Sequence, residues 1–208
     1  MVRLVTILAV LVSSVIFGQE GNKFEQGMGK AFGIWKEGKS TEASLLFERI
    51  ASAEKTQWLP DYYVALINCT DAFNPANREK ANALLEKAQS SLDNAKTKSD
   101  TNSEICVLQA LIYTAILVQD PMTNSMKYSP LVMQEYQKAL VLNPNNPRAV
   151  FGQADFQLSG AKWTGVATKP LCAEINRSLE LFANFKPESP FHPKWGLDRA
   201  KQVATTCQ

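Results

Sequence analysis

The chain of 208 residues has one histidine and four cysteines, and no excess of either charge: 22 Lys and Arg stand against 20 Asp and Glu. One histidine excludes multi-histidine metal centres and most histidine relays. A near-neutral balance argues against nucleic acid as a partner, because phosphate binding needs many clustered cations. Glycine-rich phosphate loops, nucleophile elbows and zinc-ligand spacings are all missing, and Asp71, Asp120 and Asp155 have no second ligand at metal-binding spacing. No metal, no cofactor and no catalytic constellation follows from the residues. His192, between Phe191 and Pro193, reads as an inert surface residue.

Long apolar runs are also scarce. The first, Leu4 to Phe17, follows Arg3 and ends at Gly18. A basic start, a short apolar stretch and a small residue at the boundary are the marks of a secretory signal peptide, and the run falls short of the ~20 residues that span a bilayer. Residues 1–18 therefore read as a leader and 19–208 as the mature domain. No cysteine lies near the boundary, which closes the lipoprotein route. The Phe17-Gly18-Gln19 ending resembles leaders of Bacteroidetes bacteria, implying a periplasmic or secreted protein. The second run, Ile105 to Val118, contains Gln109 and has the length of a buried core helix, so no membrane span remains once the leader is removed.

What is present is helical periodicity nearly everywhere after residue 22. Phe24, Met28, Ala31, Phe32 and Trp35 form one stripe, which Gly38 ends. Later helices open at Pro60, near Ala81, before Ile105, at Leu131, at Arg148 and at Pro170, and a last one closes the chain. A spacing of four residues then three recurs on alternate helices: Ala43, Phe47, Ile50; Ala81, Leu85, Ala88; Val132, Tyr136, Ala139; Leu171, Ile175, Ser178. Alone this is only the 3.6-residue period. With the turn at Gly38 and the closing Ala139-Leu140-Val141-Leu142-Asn143-Pro144-Asn145-Asn146, these segments resemble the tetratricopeptide repeat.

The resemblance implies an all-α superhelix of about four helical hairpins plus a C-terminal capping helix, each hairpin burying its face against the next. The anchors Phe47, Leu85, Tyr136 and Ile175 lie 38, 51 and 39 residues apart, against ~34 in the family, which places insertions at 71–78, 96–103, 120–130 and 160–169. It also implies a non-catalytic scaffold that binds a protein or peptide partner in a groove. The groove residues carried over are Met28, Phe32, Trp35, Tyr62, Tyr63, Phe151 and Asp155. A second reading is a secreted enzyme or small-ligand binder that uses the loops at 120–130 and 160–169, with Tyr128 and Trp163 lining a pocket.

Helix geometry pairs two of the cysteines. Cys172 and Cys207 lie on inward stripes and are almost equidistant from a turn at Ser189, so an antiparallel hairpin sets them side by side; an exporting compartment favours the Cys172–Cys207 disulfide. Cys69 and Cys106 read as buried free thiols.

Overall fold

The structure is a computed structural model that describes residues 23–207; the leader assigned to residues 1–18 lies outside the described residues. Among the described residues there are nine α-helices and no strand. Helix α1 covers residues 23–36, followed by α2 (Ser40–Ala53), α3 (Leu59–Ala72), α4 (Ala81–Lys98), α5 (Ser103–Gln119), α6 (Pro121–Leu142), α7 (Pro147–Thr164), α8 (Thr168–Asn184) and α9 (Leu197–Ala204). Short 3-10 segments occupy Pro75–Lys80 and Thr205–Cys207.

Four hairpins make up this order. α3 packs on α4, α5 on α6 and α7 on α8, while α5 also touches α3 and α7, so the first helices of successive hairpins stack. The first hairpin turns at Gly38, whose φ of +79° suits glycine, and is closed by the Phe32 ring against Phe47 at 5.3 Å. The four-then-three triads are its internal logic: all twelve of those side chains are buried, and on α6 and α8 they are the only buried residues. Helix α5 lacks a polar face because α3, α4, α6 and α7 surround it. Its Gln109 is paired at the edge with Gln89 of α4, each amide donating to the other. Cys69 is buried and Cys106 half-buried, both as free thiols.

The expected insertions are mostly longer helices. Residues 120–130 do not form a loop: Asp120 accepts from the Thr123 amide, Pro121 takes the first helical turn where its missing N–H costs nothing, and α6 runs unbroken for 22 residues. Pro130 inside it sits on the exposed side, where solvent can reach the carbonyl that its missing N–H leaves free. Likewise α7 continues to Thr164, and only residues 165–167, with Gly165 at φ +69°, separate it from α8. Tyr128 therefore lies on α6 with its ring 5.8 Å from Tyr113, and Trp163 stands 81% exposed on α7; the inserted-loop pocket is not formed.

The C-terminal end closes as the hairpin geometry requires. Cys172 and Cys207 are joined, with Cα atoms 5.4 Å apart. They bracket α8 from Cys172 onward, α9 and a strap, residues 185–196, that leaves the last hairpin and returns across the first helices.

Candidate functional site

The strap and the first helices enclose a cleft of about 400 Å³. One wall is α1 and α3, through Gly29, Phe32, Trp35, Tyr63 and Leu66; the other is the strap, through Pro190, Phe191, His192, Lys194 and Trp195. Six of these ten residues carry aromatic rings. Phe32 is their hub: its ring lies 6.0 Å from and nearly parallel to Phe191, 6.4 Å from Trp35, and edge-on to Tyr63 at 4.6 Å. Ring pairs at such distances gain about 0.5–1.5 kcal/mol each beyond the area they bury.

Two tyrosines fasten the strap. Tyr63 donates its hydroxyl proton to the Phe191 carbonyl at 2.7 Å, and Tyr62 accepts from the Trp195 indole at 2.9 Å. Burial pushes both phenols up from their ordinary value, so both stay protonated through the neutral range.

Beneath the cleft lies a buried charge cluster. Arg148, at the start of α7, meets Glu104 of α5 through two parallel hydrogen bonds of 2.7 and 2.8 Å, and its guanidinium covers the Phe185 ring. Asn146 caps α7 and donates to Glu104 at 2.8 Å. His192 completes the cluster, with Nε2 3.8 Å from Glu104 and Nδ1 3.8 Å from Glu188. The sequence expectation of an inert surface histidine is corrected here: His192 is 7% exposed and holds the strap against the core. Burial pushes the Glu104 carboxyl up, but His192 and Arg148 outweigh it, and the group rests below its ordinary value of 4.5.

Of the seven groove residues expected from sequence, the structure brings Phe32, Trp35 and Tyr63 together in the cleft. Tyr62 is fully buried just behind them, and Met28 is fully buried in the same core. Phe151 belongs to the separate C-terminal cluster, and Asp155 faces Arg199 of α9 at 3.5 Å. Sequence reasoning did not reach the strap wall or Gly29. The available signal was Phe191, His192 and Trp195 crowded into a segment with three prolines, since bulky rings in a turn have no helix stripe to join.

The architecture has a solved counterpart. The HusA haemophore from Porphyromonas gingivalis matches 89% of this chain and 92% of its own at a TM-score of 0.79, with 26% sequence identity. No protein-family model and no curated protein sequence matches the chain. What is shared is an all-helical stack of hairpins; the tetratricopeptide repeat itself is not among the matches. No helix among the described residues is long and apolar enough to cross a membrane.

Proposed function

We propose that this chain is an exported, non-catalytic binding protein whose aromatic cleft takes a flat, largely apolar small molecule of the porphyrin class, haem included. The observation that carries the reading is the cleft itself, with rings on both walls and one cation, Lys194, in its lining. Flat apolar ligands gain most from surfaces that offer ring faces and little polar competition. The likeness to a haemophore supports the same ligand class.

The grip falls on the macrocycle rather than on its iron. Tyr63 is the phenol in the cleft lining, and its proton is committed to the Phe191 carbonyl. Both nitrogens of His192 face carboxylates. Haem would be cargo held by stacking, with part of the ring left in water because a tetrapyrrole is larger than the cleft. A protein or peptide partner has less support: Met28, Tyr62 and Phe151 offer almost no free surface, and Asp155 is paired with Arg199.

Absorbance titration with haem and with iron-free protoporphyrin IX tests the reading. Both bind, and Trp35→Ala weakens both by about tenfold, the loss that follows from one large ring contact. Binding of haem alone, abolished by His192→Ala, would replace stacking with iron coordination. Binding of neither removes the proposal.

A further inference from the structure

Helix interiors disfavour glycine, and those that keep it usually do so for a packing reason. Gly27 and Gly152 have one. A Cβ on Gly27 would lie 3.3 Å from Ile50, and one on Gly152 would fall 2.5 Å from the Tyr136 ring, inside van der Waals contact. Gly29 and Gly33 of α1 have none: beyond the helix's own backbone, a Cβ at either would meet no atom of the described residues within 4 Å. Yet Gly29 lies in the cleft lining beside Phe32 and Trp35. Among the described residues, nothing fills the space that its missing side chain leaves open.

We infer that Gly29 sets the shape selectivity of the cleft, leaving bare helix backbone against which the face of a flat ligand lies. The inference rests on the reading that the cleft holds such a ligand. A flat ring reaches dispersion contact with backbone only when no Cβ stands between them. Phe32, one turn further along α1, then meets the same ligand through its ring. A methyl group at position 29 would prop a rigid plane away from that wall, whereas a flexible or rounded ligand would shift around it.

The inference separates stability from affinity, because the two should move in opposite directions. Gly29→Ala introduces no clash and a better helix former, so Tm should rise by about 2–4 °C. Affinity for protoporphyrin IX should fall about tenfold, and further for Gly29→Leu, as overpacking a fitted contact does. Gly160→Ala, an equally open helical glycine on α7 outside the cleft, should raise Tm and leave affinity unchanged. If the wild type binds and Gly29→Ala binds equally well, Gly29 has no such role while the porphyrin reading stands. If the wild type binds no porphyrin, both fall together. A lower Tm for Gly29→Ala would mean that the glycine serves the fold, and would overturn the inference as well.

Discussion

The two ends of the molecule share one hairpin plan but are held by different means. Around α1, α2 and α3, the core is built of rings: Phe32, Trp35, Phe47, Trp58, Tyr62 and Tyr63 touch one another in a continuous stack that the strap extends through Phe191. Around α7, α8 and α9, the buried cluster is Phe151, Ala154, Ile175, Ala200 and Val203, a thin core whose closing helix has eight residues. There a disulfide supplies what apolar area does not. The contrast shows where the molecule has more aromatic surface than packing requires. Rings left half-buried at one end are free to face a ligand, while the other end serves as a fastened base for the strap that covers them.

The sharpest way to break this arrangement is at the joint between the two ends. Glu104 holds Arg148 of α7 and faces His192 of the strap. Glu104→Ala strands a guanidinium that has no side-chain exposure, and removing one partner of a buried pair costs about 3–5 kcal/mol. Urea unfolding should register a loss of that size, and a loss below about 1 kcal/mol would show that the cluster is incidental. The same group predicts acid sensitivity. Its folded pKa lies below 4.5, so its stabilisation is complete above the unfolded value and is lost as pH falls through the folded one. The wild type should lose stability below about pH 4.5, and Glu104→Gln should flatten that part of the profile.

Next in size is the staple. Cys172 and Cys207 are 35 residues apart, and closing a loop of that length removes about 4 kcal/mol of unfolded-state entropy in the chain-entropy account. Cys207→Ser should destabilise the protein by about 3–4 kcal/mol, with hydrogen exchange rising first in α8, α9 and the strap while α2 and α3 stay protected. Porphyrin affinity should fall too, because the strap provides half of the cleft lining. Uniform loss of protection along the chain would contradict the division into a ring-held end and a stapled end.

What was legible in the sequence follows the same division. The triads on alternate helices and the Cys172–Cys207 pair depend on local geometry, the helical period and the antiparallel turn, and local geometry repeats in any context. Phe32, Trp35 and Tyr63 were found because they sit on helical stripes. Their opposite wall was not, because a strap has no period. Its path is fixed by contacts such as Tyr63 to Phe191 and Tyr62 to Trp195, 128 and 133 residues apart, which no window along the chain contains. Pro130 misled in the other direction: a proline reads as a helix boundary, but packing of Val132, Tyr136 and Ala139 carries α6 through it. His192 had no helical face to betray its burial, which follows from partners far along the chain: Glu104, 88 positions earlier, and the Trp58 ring at 6.3 Å.

The smallest effect tests the cleft's polarity rather than its rings. Lys194 is the one cation in the lining, is exposed, and makes no ion pair among the described residues. It lies on the strap between Trp195 and Pro193, just past the turn that the His192 amide closes onto the Ser189 carbonyl, where the acid arm of a stacked porphyrin would reach water. An exposed ion pair contributes about 0.2–1 kcal/mol, so Lys194→Ala should weaken protoporphyrin IX binding by about 1.4- to fivefold. The screening length for exposed charges falls from about 10 Å at 0.1 M salt to about 3 Å at 1 M, so the difference between wild type and variant should shrink as ionic strength rises. The dimethyl ester of the same porphyrin keeps the plane and loses both acids, and should bind the two proteins alike. If the ester is weakened as much as the diacid, Lys194 acts by packing its stem against Trp195, and the acid end of the ligand points elsewhere.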